Sequence, residues 1–288
     1  MSSAAPYLGF KATVRAPRQR LPAGSCDCHF HVFEDSARYP LGEPRSYTPT
    51  AATLDDFRRM NQAVGIERAV LVHPSVYGRD HRSFEDTLSL CGDWMRGVAV
   101  VYPDSSDEMI ERWHRLGARG TRCNALFAGG AGLSDLPEIA ARVRALGWHL
   151  QLLIDVAADP GAVARVADLG LPVVVDHFGH VPAQQALASP GFANLLALVR
   201  EGRAWVKISG AYRISAQRRG FDDVAPLVHA LWQANPRQLV WGSDWPHPAI
   251  QAPMPDDGDL ADALFDWLGE SERQQVLVDN PTRLYWAT

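Results

Sequence analysis

Short runs of β-branched and apolar residues alternate with longer amphipathic runs along most of this chain. The short runs predict eight strands: Cys26–Phe33, Arg68–Pro74, Gly97–Tyr102, Gly120–Leu126, His149–Asp155, Pro172–His177, Ala204–Ser209 and Gln238–Gly242. The longer runs predict eight helices: Leu54–Val64, Ser83–Met95, Asp107–Leu116, Asp135–Leu146, Pro160–Leu169, Gly191–Arg200, Asp223–Ala234 and Asp259–Leu268. Because strands such as "LPVVVD" are apolar enough to be covered on both faces, we expect a parallel sheet.

Eight strand–helix pairs in 288 residues predict an α/β fold of the (β/α)8 TIM-barrel type. A doubly wound open sheet is the alternative, but no glycine-rich phosphate loop follows the first strand. No internal repeat or low-complexity linker divides the chain. We therefore expect an irregular N-terminal arm over residues 1–24 and a single barrel domain over residues 25–288 that ends in a helical cap.

The overall charge and the distribution of apolar residues exclude several classes of partner. A formal net charge of -5 argues against a nucleic-acid-binding surface. No apolar run approaches the roughly 18–20 residues of a membrane helix, and residues 1–24 lack an apolar secretory segment. The sequence predicts a cytoplasmic protein with neither nucleic acid nor a membrane as partner, and it leaves the oligomeric state, a homo-oligomer included, open.

The first predicted strand, "SCDCHFHVF", concentrates residues that can bind metals. The spacing of the four cysteines in the chain fits neither a disulfide framework nor a paired zinc site. Regular alternation places Asp27, His29 and His31 on the inner face, with Asp27 deeper in the barrel, and turns Cys26 and Cys28 towards the surrounding helices. Two imidazoles on one face can bind a divalent ion or hydrogen-bond a substrate carbonyl or carboxylate.

Polar residues gather where the predicted strands end, which is where barrels of this type carry their chemistry. They are His29, His31, His73, Ser75, Arg122, Asn124, Asp155, His177, Lys207, Ser209, Ser243, Asp244 and His247. A single polar residue at a strand end is more often structural. Many ionisable side chains on one rim are different, because burying unpartnered charge costs free energy. Their convergence therefore predicts a functional site. Asp176 neighbours His177, so alternation predicts that its side chain points away from the barrel centre.

Five motifs in order along the chain resemble the lactonase branch of the amidohydrolase superfamily, of the amidohydrolase 2 type. They are "DCHFHVF", "VVVDHFG", "WVKISGAYR", "WGSDWPHP" and "NPTRLYW". The resemblance, which extends from about residue 20 to the C-terminus, implies a hydrolase that opens a carboxylate-bearing lactone by attack of water. It implies that Asp244 is the general base and that His29, His31 and His177 polarise the scissile carbonyl, directly or through one metal.

The resemblance also implies a set of substrate-binding residues: Tyr47, Ser75, Arg122, Asn124, His180, Arg213 and His247. Since arginine can hold a carboxylate through two hydrogen bonds, Arg122 and Arg213 indicate a small anionic lactone as the substrate. Members of the branch that hydrolyse 2-pyrone-4,6-dicarboxylate have an extra Arg shortly after strand four, a Tyr at the position of Leu153 and an Arg at the position of His180. We therefore expect a substrate with one carboxylate fewer than 2-pyrone-4,6-dicarboxylate, or with a different polar group in its place.

The expected metal content follows from two departures from the superfamily pattern. Asn124 stands where two-metal members carry a bridging Lys or Glu, and Asp155 stands where they carry a His. The resemblance thus implies no metal or one divalent ion, zinc or manganese, whose ligands would be His29, His31, His177 and Asp244. We favour a site that works without one.

Three other functions are compatible with the same residues. They are isomerisation of a sugar-acid lactone, metal-dependent non-hydrolytic decarboxylation, and ligand binding without catalysis.

Overall fold

The structure is a computed structural model that describes residues 7–250 and 253–287. Within these ranges the strands are β1 (Cys26–Phe30), β2 (Arg68–Val72), β3 (Met95–Ala99), β4 (Ala118–Asn124), β5 (His149–Leu153), β6 (Val173–Val175), β7 (Ala204–Lys207) and β8 (Leu239–Val240). Neighbours in this order pair in parallel. Just after β8 the sheet meets β1 again, because Cys28 N donates to Trp241 O at 2.9 Å. The predicted (β/α)8 barrel is confirmed.

Helices cover the outside of this barrel. They are α1 (Leu54–Val64), α2 (Arg82–Cys91), α3 (Asp107–Arg115), α4 (Leu136–Val143), α5 (Ala162–Ala167), α6 (Ala183–Ala186), α7 (Pro190–Arg200), α8 (Ala211–Ile214), α9 (Ala225–Ala234), α10 (Asp257–Trp267) and α11 (Glu270–Gln274). π-helical turns at 275–279 and 282–286 complete the C-terminal cap. None of these helices combines the length and apolar content needed to cross a bilayer within the described ranges. Residues 1–6 of the predicted arm and Thr288 lie outside the described residues.

Local sequence signals explain where the helices begin and end. Thr53 and Asp56 form a capping box at the start of α1, and Gly65 ends that helix in the left-handed conformation. The predicted helix Ser83–Met95 was wrong at its C-terminal end. Gly92 has a φ of 58° and stops the helix, so Met95 begins β3 instead.

A β-bulge in β1 decides which of its side chains enter the barrel. Asp27 pairs with Ala69 and Phe30 with Leu71, so β1 carries one extra residue between these pairs. The expectation that Cys26 and Cys28 face the helices was therefore wrong. Both cysteines pack in the barrel interior with a set of inward residues: Val70, Val72, Val98, Val174, Trp205, Val240 and Tyr285. The extra residue lets His29 point inward as well.

Asp27 lies on the opposite face of β1 from the cysteines, not deeper in the barrel as expected. Its carboxylate accepts hydrogen bonds from His29 N at 3.0 Å and Ser243 N at 2.9 Å, and a third from Ser243 Oγ. Burial raises the pKa of Asp27 to about 7, although these three hydrogen bonds act to lower it. Asp27 therefore fixes the backbone at the start of the site rather than the histidine rings.

Candidate active site

Three histidines and one aspartate converge at the C-terminal end of the barrel. The Nε2 atoms of His29 and His31 are 3.3 Å apart. Asp244 Oδ1 lies 3.8 Å from His29 Nε2 and 3.9 Å from His31 Nε2, while Asp244 Oδ2 lies 3.8 Å from His177 Nε2. All four side chains are buried. The structure thus brings together the four residues to which the sequence assigned the chemistry.

Unusual backbone angles turn His177 and Asp244 into this cluster. Their φ angles are 50° and 63°, in the left-handed region that residues with a Cβ rarely adopt. Asp176 keeps an extended backbone and faces inward by alternation with Val174, which lies in the barrel interior. The turn at His177 then brings the His177 side chain inward as well, so the prediction that Asp176 points away from the barrel centre was wrong.

The second ring nitrogen of each histidine has a partner that orients the ring. His31 Nδ1 lies 2.8 Å from Val72 O and must donate to it, which leaves a lone pair on Nε2 facing the cluster. His177 Nδ1 is 2.9 Å from Ser209 Oγ. Burial lowers the pKa of His29 to about 4 and the pKa values of His31 and His177 well below their usual value. All three rings are therefore neutral near pH 7.

Beneath His29 lies a buried ionic network centred on Asp176. Asp176 Oδ2 accepts hydrogen bonds from Arg122 Nε at 3.0 Å and Gln151 Nε2 at 3.1 Å. Asp176 Oδ1 lies 3.2 Å from His29 Nδ1 and 3.6 Å from Lys207 Nζ. Burial alone would raise the pKa of Asp176, but His29, Lys207 and Arg122 hold it well below its usual range.

Lys207, which the sequence placed among the polar strand ends without giving it a role, is fully buried. Its ammonium donates to Cys28 O and Gln151 Oε1, both at 2.8 Å, and lies 3.2 Å from His29 Nδ1. Sequence reasoning missed Gln151. It occupies an inward position in the middle of β5, a signal that alternation could have supplied.

Asp244 is held by groups of α8, the short helix that follows β7. Its Oδ2 accepts from Tyr212 Oη at 2.6 Å and Arg213 Nε at 2.5 Å. Burial would raise the pKa of Asp244, but Arg213 and the three histidines hold it well below its usual range. Asp244 is therefore ionised, and Oδ1 is the oxygen that faces His29 and His31. Tyr212 was missed by the sequence analysis.

A small pocket opens above this cluster. Its walls are formed by His31, Tyr47, Ser75, Arg122, Phe127, Leu153, His177, His180, Arg213, Asp244, Pro248 and Ala249. Five of the predicted substrate-binding residues line it, namely Tyr47, Ser75, Arg122, His180 and Arg213. Their binding roles stay predictions.

Asn124 and His247, also predicted to bind substrate, contact other protein groups. Asn124 Oδ1 accepts hydrogen bonds from Leu126 N at 3.0 Å and Phe127 N at 2.9 Å, which fixes the loop after β4. His247 Nδ1 lies 3.3 Å from Tyr212 Oη, and its Nε2 lies 3.2 Å from Asp257 Oδ1. His247 thus supports Tyr212, which in turn holds Asp244.

The donor set fits one divalent ion. His29, His177 and Asp244 each offer a ligand atom within 4.8 Å of the others. Ligands about 2.0–2.1 Å from a tetrahedral ion lie about 3.3–3.4 Å apart, which matches the 3.3 Å between His29 and His31. Imidazole nitrogen and carboxylate oxygen suit zinc, and manganese less well. Asp155, at the position where two-metal members of the superfamily carry a His, accepts from Ala157 N at 2.8 Å.

A parallel barrel with a His-x-His pair, a third histidine and an aspartate at its C-terminal end has its polar cluster where barrel enzymes hold their active sites. The chain belongs to the amidohydrolase family, whose model matches residues 26–286. It is 33% identical over 284 residues to a 4-sulfomuconolactone hydrolase of Hydrogenophaga intermedia, covering 96% of this chain and 94% of that one. It is 34% identical over 292 residues to a 2-pyrone-4,6-dicarboxylate hydrolase of Comamonas testosteroni, covering 97% and 96%.

The fold is shared with a solved structure. A crystal structure from Agrobacterium tumefaciens superposes with a TM-score of 0.84 at 26% identity, over 94% of this chain and 99% of that one. The predicted membership of the lactonase branch is confirmed by these comparisons.

Proposed function

We propose that this chain hydrolyses a small lactone that carries one carboxylate. The observation that carries the proposal is the convergence of three neutral imidazoles and an ionised Asp244 beside a pocket lined by Arg122 and Arg213. The relatives named as lactone hydrolases support the reaction type.

In the proposed reaction the lactone carbonyl lies against the histidine cluster. Asp244 takes a proton from water as the water oxygen attacks the carbonyl carbon, which gives a tetrahedral intermediate. When the intermediate collapses, the ring C–O bond breaks and Asp244 returns the proton to the leaving oxygen. Oδ1 is suited to this role because Tyr212 and Arg213 both bind Oδ2.

The orientation of His31 supports a site with a divalent ion, in contrast to the metal-free site that the sequence favoured. Neutral His31 uses its only ring proton to bind Val72 O, so its Nε2 cannot donate a hydrogen bond to a carbonyl oxygen. His29, His31, His177 and Asp244 would hold the ion, which when bound supplies Lewis-acid activation of the carbonyl or of water.

The pocket walls support a substrate with one carboxylate. Arg213 is engaged through Nε with Asp244 and through Nη2 with Pro248 O at 2.9 Å. Arg122 binds Asp176 through Nε, and among the described residues no hydrogen bond is made by its two terminal nitrogens. Leu153 and Phe127 are apolar. His180 Nε2 is buried without a partner in the described part of the chain, and it is available for a further polar group of the substrate.

Product analysis after incubation with monocarboxylated lactones, in the presence of zinc, manganese or a chelator, tests the proposal. Hydrolysis adds the mass of one water. A product of unchanged mass would indicate isomerisation, and loss of carbon dioxide would indicate decarboxylation.

Asp244→Asn should lower kcat by about 10²–10⁴-fold. Asp155→Asn is the control, since this half-buried carboxylate lies in the turn after β5 and accepts from Ala157 N; equal rates in both variants would refute the mechanism. A cytoplasmic location stays a prediction of the sequence.

A further inference from the structure

The segment before β1 is attached to α10 by a line of ion pairs. Four aspartates, three or four residues apart, share one side of the helix: Asp256, Asp259, Asp262 and Asp266. Arg15 Nη2 lies 2.7 Å from Asp259 and 2.5 Å from Asp262. Arg18 Nη2 lies 2.5 Å from Asp266, and Lys11 Nζ lies 3.4 Å from Asp256. The charges on the two segments are therefore complementary along their length.

Backbone contacts show that the helix is built to accept this segment. Arg15 N donates to Asp256 Oδ1 at 3.2 Å, and Arg18 N donates to Asp262 Oδ1 at 2.7 Å. The carbonyl oxygen of Arg15 approaches Gly258 so closely that a Cβ at this position would overlap it. The first turn of α10 thus needs a glycine because the segment passes over it.

The other end of the segment reaches residues at the active site. The ring of Phe10 packs on Trp245 with centroids 4.9 Å apart, and Tyr7 meets Tyr47 edge-on at 5.4 Å. Trp245 follows Asp244 directly, and its carbonyl accepts a hydrogen bond from His31 N at 2.8 Å. Tyr47 is buried and lines the pocket. The segment from residue 7 to residue 18 therefore joins the pocket wall to the acidic side of α10.

From these contacts we infer that the N-terminal arm is a working part of the active site. Tyr7 and Phe10 are positioning residues that hold Tyr47 and Trp245, and the pairing of Lys11, Arg15 and Arg18 with α10 keeps them in place. The inference rests on the proposed function only in assigning the pocket to the substrate. Because the arginines are partly exposed, salt weakens their ion pairs and thereby the positioning.

The test uses the full chain with Arg15→Gln/Arg18→Gln. The control is Arg58→Gln/Arg115→Gln, which removes two exposed ion pairs within α1 and α3. We expect KM of the arm variant to rise about three- to tenfold at low salt, with kcat within about twofold. High salt should bring the KM of the unmodified protein towards that of the arm variant. The control should behave like the unmodified protein throughout.

Two readouts need no substrate. The arm variant retains Arg20, and the rate of tryptic cleavage after this residue should be about tenfold higher than in the unmodified protein. The rate of amide hydrogen exchange around Tyr47 should be about threefold higher. Faster cleavage with unchanged exchange around Tyr47 and unchanged KM would overturn the link to the active site. Unchanged cleavage would overturn the role of the ion pairs. If no lactone is turned over, the proposed function fails, while cleavage and exchange still decide the role of the arm.

Discussion

Replacing Asp176 by Asn removes the counter-charge of two buried cations while keeping the size of the side chain. Lys207 Nζ lies 3.6 Å from Asp176 Oδ1, and Arg122 Nε lies 3.0 Å from Oδ2. At an effective dielectric constant of about 20, opposite unit charges 3.6 Å apart attract each other by about 4–5 kcal/mol. Removing one partner of a buried pair costs about 3–5 kcal/mol of unfolding free energy, since the other charge stays buried.

Thermal unfolding at pH 7, followed by circular dichroism, measures this loss. An unfolding entropy of about 2.1 cal/mol/K per residue gives about 0.6 kcal/mol/K for 288 residues. The Tm of Asp176→Asn should therefore fall by about 5–8 °C. Asp155→Asn, in which the amide oxygen can still accept from Ala157 N, should change Tm by no more than about 1 °C.

A double-mutant cycle with Lys207→Met isolates the pair. The unfolding free energy lost by the double variant should be smaller than the sum of the two single losses by at least about 2 kcal/mol. The reason is that the double variant removes both charges and leaves neither of them buried without its partner. Losses that add within about 0.5 kcal/mol would refute the idea that Asp176 and Lys207 stabilise each other.

Three further outcomes follow from the site. Because His29, His31 and His177 are already neutral, the Kd for zinc, measured by equilibrium dialysis, should change less than about threefold between pH 5.5 and 7.5. If the three rings had ordinary pKa values, zinc binding would be about 10³-fold weaker at pH 5.5 than at pH 7.5. Arg122→Lys should raise KM for a monocarboxylated lactone about tenfold or more in steady-state assays, and efficient turnover of 2-pyrone-4,6-dicarboxylate would contradict the one-carboxylate pocket. Asp27 has its pKa raised to about 7 in the folded state, so the stability that it contributes is lost as pH rises from about 4 through 7. The Tm of Asp27→Asn minus the Tm of the unmodified protein should therefore be larger at pH 8.5 than at pH 5.5. A difference in Tm that does not change with pH would contradict the raised pKa.

Local patterns were enough to predict the architecture and the place of the site. Two periodicities, two residues for strands and 3.6 for helices, indicated the barrel, since each is a property of the residues within one element. Parallel strands of a barrel all end at the same rim, so His29, His31, His177 and Asp244 could be placed together without coordinates.

The tertiary structure alone decided which side chains support these four. Alternation predicts a facing direction only while the ladder is regular, and the bulge in β1 and the turn at His177 both interrupt it. These interruptions turn His29 and His177 inward beside Cys28 and Asp176, so alternation counted from the histidines put Cys28 and Asp176 on the wrong face. Partners such as Asp176 and Arg122, 54 residues apart, meet because strands close around one axis. The arm lies on α10 for the same reason: Arg15 and Asp262 are 247 residues apart, and only the closed fold brings their charges together.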